Sequence, residues 1–218
     1  MSIITMAQTK GGAGKTTIAQ LLVGVVKAKG YSVAVVDGDV NHTLATWIEK
    51  LANIGDVETR VVQQENDVIE WAGELEEKYD LVVIDTAGAK NQAAMYAIGA
   101  ADLVLIPVQT SSANVIEANN TYQTVQSVSK MVGREVQARV VLTDFTPNTN
   151  IAKHIKNEVA DFGLPMMNTI LHRLVAFQEL SYGEFPRTGK AGAQAQLLVQ
   201  EIEKMGVLPF MNEIRVVA

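Results

Sequence analysis

Ile3-Ile4-Thr5-Met6-Ala7 and, just beyond it, Lys10-Gly11-Gly12-Ala13-Gly14-Lys15-Thr16-Thr17 decide the fold. The first is an apolar run bounded by a loop, the pattern of a buried strand. The second is a glycine run. After it, Ile18, Leu21, Leu22, Val25 and Val26 recur at helical spacing, and Gly30 stands where that helix should stop. Strand, glycine loop and helix in this order form a phosphate cradle. The glycines let successive backbone N–H groups point at one anion. The helix that follows adds its positive N-terminal end. Lys15 can reach the β- and γ-phosphates, and the Thr16 hydroxyl can ligate Mg²⁺. A nucleoside triphosphate is the expected ligand.

Working outward, strand-like and helix-like runs alternate. Strands are expected at 3–7, 32–37, 58–62, 81–85, 103–108, 138–143 and 166–170, and helices at 16–28, 41–52, 67–79, 92–100, 115–132, 150–162, 176–182 and 193–205. Several of the strands are unbroken Val, Ile and Leu runs, which suits parallel strands covered on both faces. The expectation is an α/β fold, a doubly wound and mostly parallel sheet with helices on both faces. No repeat or linker-like composition break divides residues 1–218, so a single domain is expected.

In such sheets ligands collect at the carboxyl ends of the strands. Leu81-Val82-Val83-Ile84-Asp85 ends an apolar strand on a carboxylate suited to Mg²⁺, directly or through water. Asp85-Thr86-Ala87-Gly88 also fits the D-x-x-G pattern of GTPases, although no N-K-x-D accompanies it. Val35-Val36-Asp37-Gly38-Asp39 places two carboxylates at alternate positions of a strand end, where they need a cation, a hydroxyl or water, or serve as caps of the next helix. Pro107 is read as a strand exit.

The chain has no cysteine, which excludes disulfides, cysteine nucleophiles and Cys-ligated metals. Its net charge of −6 disfavours nucleic-acid binding by the chain as a whole but leaves room for a local basic patch. No signal-peptide pattern and no apolar run of membrane-spanning length is found, so a cytoplasmic protein is expected. His42, His154 and His172 lack metal-ligand spacing and are read as surface or cap residues, Met166-Met167 as core filling, and Glu74, Glu76, Glu77 and Lys78 as a solvated helix face.

With Lys10 opening the glycine run and Thr9 where an ordinary P-loop has its first glycine, the loop resembles the deviant Walker A ATPases of the ParA/MinD family, K-G-G-x-G-K-[ST]. The resemblance continues through Asp37-Gly38-Asp39-Val40-Asn41 (D-x-D-P-Q in the family) with Trp47 after it, through Ile106-Pro107-Val108, and through the Ala176-Phe177-Gln178-Glu179-Leu180…Gly183 segment. It implies an ATP-dependent homodimer in which Lys10 acts in trans on the partner's nucleotide. It implies that Lys15, with the amides around Gly11, Gly12, Ala13 and Gly14 and with Thr16 and Thr17, holds ATP. It further implies that Asp37 joins Thr16 and Asp85 around Mg²⁺, that Asp39 positions the attacking water, and that Thr143 and Asp144 lie at the base. Asp144 stands where small partition ATPases often carry arginine. The family function so implied is ATP-timed partition or positioning of DNA or a protein cargo. The ATP dimer would bind non-specific DNA and the nucleoid. A centromere-binding or cargo-adaptor partner would stimulate slow hydrolysis. Candidate DNA contacts are the late basic residues Lys153, Lys156, Arg173, Arg187 and Lys190, together with Lys204. The absence of cysteine argues against the iron–sulfur relatives. A MinD-like membrane switch is the alternative, but it needs a basic amphipathic C-terminal helix, and the end of this chain is acidic or neutral and carries Pro209. A small-molecule ligase or kinase on the same scaffold is a further one.

Overall fold

The computed structural model describes residues 1–51, 54–88, 91–182 and 185–208. Six strands form one all-parallel sheet: β1 (Ser2–Met6), β2 (Val33–Gly38), β3 (Glu58–Val61), β4 (Leu81–Thr86), β5 (Leu103–Val108) and β6 (Gln137–Leu142), in the order β3-β2-β4-β1-β5-β6. The helices are α1 (Lys15–Ala28), α2 (Thr43–Lys50), α3 (Asp67–Glu76), α4 (Gln92–Ala100), α5 (Ser112–Val132), α6 (Asn150–Asp161), α7 (Val175–Gln178) and α8 (Gly189–Lys204).

Period-2 alternation divides the apolar strand residues between two cores. Ile4, Met6, Val33, Val35, Leu81, Val83, Leu103 and Leu105 face one side, where α1, α2 and α8 pack. Ile3, Ala34, Val36, Val82, Ile84, Val104 and Ile106 face the other, covered by α3, α4, α5 and α6. The doubly wound expectation therefore holds, and the sheet is wholly parallel. Trp47 on α2 is buried, and its indole N–H donates to the Leu180 carbonyl at 2.6 Å, which ties α2 to the turn after α7. The α4, α5 and α6 N-termini are capped by the side chains of Asn91, Ser111 and Thr149.

Two local expectations are corrected. Residues 166–170 do not form a seventh strand. Met166 makes only an isolated bridge to Val140, and the chain then bends so that the Asn168 and Thr169 amides donate to the Glu201 carboxylate at 2.6 and 2.8 Å. A side chain on α8 thus takes the donors that a ladder would have used. Pro107 lies within β5, in register with Val141, rather than at a strand exit. Its carbonyl accepts from Gln8. The expected end of the second helix at residue 52, the Gly183 of the late segment and Pro209 lie outside the described residues.

Candidate functional site

The site is built at the carboxyl ends of β1, β2, β4 and β6. The loop after β1 reaches α1 through Gly12 at φ 74° and Gly14 at φ 104°, left-handed values that favour glycine. Gly14 also has close company: a Cβ there would stand 3.3 Å from the Thr143 side chain. The loop is held from two sides. The Thr143 hydroxyl donates to the Ala13 carbonyl at 2.7 Å, and Gln109 Nε2 donates to the Gly12 carbonyl at 2.7 Å. Bonding these carbonyls outward leaves the inner side of the loop to its amides.

Lys15 is buried, with its ammonium on the Gln8 carbonyl at 3.3 Å. Gln8 is fully buried. Its amide donates to the Pro107 and Asn114 carbonyls and accepts from the Thr9 amide and the Thr121 hydroxyl. The start of the glycine loop is therefore stitched to β5 and α5. Lys10, by contrast, stands exposed on the loop, with Gly11 and Gly12 beside it.

Thr16 donates its hydroxyl to Asp85 Oδ2 at 2.7 Å. Asp85 Oδ1 is buried with no hydrogen-bond partner. Burial pushes the Asp85 carboxyl up to about 7; the Thr16 hydrogen bond opposes this, and the charge of Asp37 adds to it. Asp37 and Asp85 are register partners on adjacent strands. An orphaned, buried carboxylate oxygen beside a threonine hydroxyl is the donor set a hard divalent cation takes, so the residues fit Mg²⁺. Among the described residues, no group of three or more acidic or histidine side chains forms a metal cluster without further ligands.

Asp37 has a structural role beside the one expected of it. Both its oxygens are occupied by backbone: Oδ1 accepts from the Asp39 amide at 3.0 Å, and Oδ2 from the Ala45 amide in the first turn of α2 at 2.9 Å. It builds the β2–α2 turn, and each of its oxygens keeps a second lone pair. Asp39 is half-buried, and its Oδ1 accepts from both the amide and the side chain of Asn41. The Asn41 departure therefore positions Asp39, while Val40 is 80% exposed.

Beyond Gly14 and Thr17 the cradle opens into a cavity of about 230 Å³ lined by Gln109, Thr143, Asp144, Leu171, His172, Phe177 and Gln178. Thr143 and Asp144 thus line the same cavity as the glycine loop. Asp144 does not stand alone: Arg173 Nε and Nη2 donate to its two oxygens at 2.8 and 2.6 Å. His172 is corrected from a surface residue to a wall of this cavity. It lies against the Phe145 ring and is clamped by Gln194, which accepts from the His172 amide and approaches its Nδ1 at 2.8 Å. Because Gln194 Oε1 is already an acceptor, its NH₂ faces Nδ1, and the neutral ring carries its proton on Nε2. His42 is the left-handed N-cap of α2, and His154 is exposed beside Glu158, both in keeping with the sequence reading.

The basic candidates separate. Lys153 and Lys156 share one face of α6 and line a cleft of about 370 Å³ with Pro147 and Asn148; the Lys156 ammonium lies 5.3 Å from the Phe145 ring centroid. Arg173 donates its amide to the Phe145 carbonyl, and its side chain is on Asp144. Lys190 opens α8, one turn before Gln194, and Arg187 is exposed just ahead of it. Lys204 is at the far end of α8, about 20 Å away along the axis. Gln8, Gln109 and the Asp144–Arg173 pairing were not legible in the sequence, because each joins positions about 30 to 100 residues apart.

Residues 1–184 match the VirC1 protein family. The chain is 26% identical over 186 residues to Protein ParA of Rhizobium radiobacter, covering 83% of this chain and 82% of that one. It is 32% identical over 128 residues to Protein virC1 of Rhizobium rhizogenes, covering 56% of this chain and 55% of the relative. Among solved structures it resembles the septum site-determining protein MinD of Pyrococcus horikoshii complexed with Mg-ADP, with a TM-score of 0.75 and 18% identity over 94% of this chain and 97% of that one. The chain belongs to the VirC1 protein family and has the fold of MinD- and ParA-type ATPases.

Proposed function

We propose that this protein is an ATP-hydrolysing partition or positioning switch. The observation that carries the reading is the Thr16–Asp85 contact at the mouth of the glycine loop, with Lys15 buried beneath it and an unpartnered carboxylate oxygen facing the same spot. Backbone amides from Gly11 to Lys15, the Lys15 ammonium and the α1 N-terminus would offset phosphate charge. Thr16 and Asp85 would hold Mg²⁺, which supplies charge neutralisation at the β- and γ-phosphates. Asp39, oriented by Asn41, holds and aligns water for in-line attack, so rate comes from positioning and electrostatics.

Exposed Lys10 completes the site of a second copy, which makes ATP the signal for dimerisation. The dimer's DNA contacts are drawn from Lys153 and Lys156, which line one cleft beside α6, and from Lys190 at the start of α8. Arg173 contributes less, because Asp144 neutralises it. The cargo is DNA or a protein assembly, reached through an adaptor that stimulates hydrolysis. The relative named ParA supports this reading. Among the described residues no helix is long and apolar enough to cross a membrane.

Phosphate release from ATP with Mg²⁺ is the test. The expected result is slow turnover that Lys15→Ala abolishes. Turnover unaffected by Lys15→Ala would contradict the assignment of the cradle.

A further inference from the structure

Asp144 is part of the wall of the cavity that continues the glycine loop, and Arg173 pairs with it. Asp144 follows β6 at φ 50°, a left-handed value uncommon for a non-glycine residue. Its side chain lines the cavity that Gly12, Gly14 and Thr17 open into. Arg173 is delivered by a backbone zipper: the Leu171 amide donates to Leu142, the Phe145 amide to Leu171 and the Arg173 amide to Phe145. This fixes the guanidinium opposite Asp144, where Nε and Nη2 engage both carboxylate oxygens. The Arg173 side chain is 63% exposed and that of Asp144 is 29% exposed, so the arginine covers the acid from the solvent side.

With phosphates on the loop, Thr17 is the last cradle residue before this cavity, so the cavity is where a purine base arrives. A bare carboxylate there would accept from two adjacent donors, the N1–H and N2–H₂ of guanine. Against adenine the same carboxylate meets one donor, N6–H₂, and one lone pair, N1. A carboxylate already held by a guanidinium fork has its charge offset by the arginine and its two best acceptor directions taken, and so loses its advantage toward guanine.

We propose that Arg173 is a specificity-determining residue: by masking Asp144 it makes the site choose adenine over guanine nucleotides. This rests on the reading of the cradle as a nucleotide site. Asp144 unmasked would be a guanine acceptor, so the choice of purine is set by the ion pair and not by the acid alone.

The test uses the full chain and fluorescent ADP and GDP derivatives with Mg²⁺, titrated into the wild type, Arg173→Ala, Arg173→Lys and the double variant Arg173→Ala/Asp144→Asn. The wild type is expected to favour ADP by at least about tenfold. Arg173→Ala should move the ADP:GDP affinity ratio toward GDP by roughly 10- to 100-fold, the size of one bidentate base contact. Arg173→Lys should restore much of the wild-type ratio, and the double variant should lose the gain for GDP. A ratio unchanged in Arg173→Ala, with ADP still bound, overturns the masking role alone. A wild type that binds neither nucleotide overturns the cradle reading and this inference with it. Circular dichroism of each variant guards against misfolding, which the exposure of Arg173 makes unexpected.

Discussion

The Thr16 hydroxyl donates to Asp85 Oδ2 at 2.7 Å, joining the first turn of α1 to the end of β4 across 69 positions of the chain. That one bond brings together the pair proposed to hold the cation, and Asp85 Oδ1 is left buried and unpartnered.

The first prediction concerns pH. Burial, opposed by the Thr16 bond and reinforced by the charge of Asp37, lifts Asp85 from 3.8 to about 7. Between those values the folded chain holds a proton that the unfolded chain has released, so this group's contribution to stability falls as pH rises through the window and levels off above about 7. Without nucleotide, Asp85→Asn should melt higher than the wild type at about pH 8, by roughly 5 °C, with a smaller gap at about pH 5. Scanning calorimetry at both pH values reads this. A gap independent of pH would contradict it.

Gln8 yields the second. Its fully buried amide serves the Thr9 amide, two carbonyls and the Thr121 hydroxyl. Gln8→Ala leaves buried polar groups unpaired and should cost about 2–4 kcal/mol in urea unfolding, together with weaker nucleotide binding. A loss below about 0.5 kcal/mol, the range of an ordinary surface change, would show that the network is not structural.

For Lys10 the expectation is a separation of effects. The side chain is exposed, so Lys10→Ala should leave stability within about 0.5 kcal/mol and leave monomer ADP affinity intact. It should abolish the ATP-dependent dimer in sedimentation velocity with a non-hydrolysable ATP analogue. Dimerisation at the wild-type level would rule out the trans role.

Glu201 offers a test of the fold's edge. Burial raises its carboxyl, but the amides of Asn168 and Thr169 and the side chains of both residues outweigh this and hold it below its ordinary 4.5. Its contribution is therefore present above that value and is lost as pH falls through the lowered one. Solvent screening at this partly exposed group keeps it to about 1 kcal/mol. Glu201→Gln should lower stability at neutral pH by about that amount and match the wild type in acid, as chemical unfolding at the two pH values would show. Equal stability at neutral pH would contradict the bend's dependence on this carboxylate.

Much of the fold could be read in advance because its signals are local. The apolar runs of β1, β2, β4 and β5 and the glycine loop need only their own neighbours to be recognised, and Asp85 follows from its position at the end of such a run. What sequence missed is what neighbours do not encode. The bend at Asn168 depends on Glu201 from α8. That Asp37 also caps the first turn of α2 is known only once Ala45 is found on its second oxygen. His172 reaches the cavity, and Arg173 reaches Asp144, only because the chain zips onto the end of β6. Isolated histidines and arginines carry no periodicity that would announce such a placement.

Binding to non-specific duplex DNA bears most directly on the central claim. It would be measured with ATP, with ADP and without nucleotide over a salt series, for the wild type, Lys10→Ala and Lys15→Ala. An ATP-timed switch predicts binding only with ATP, weakening steeply with salt, and lost in both variants. No binding in any state, with nucleotide affinity intact, would contradict it.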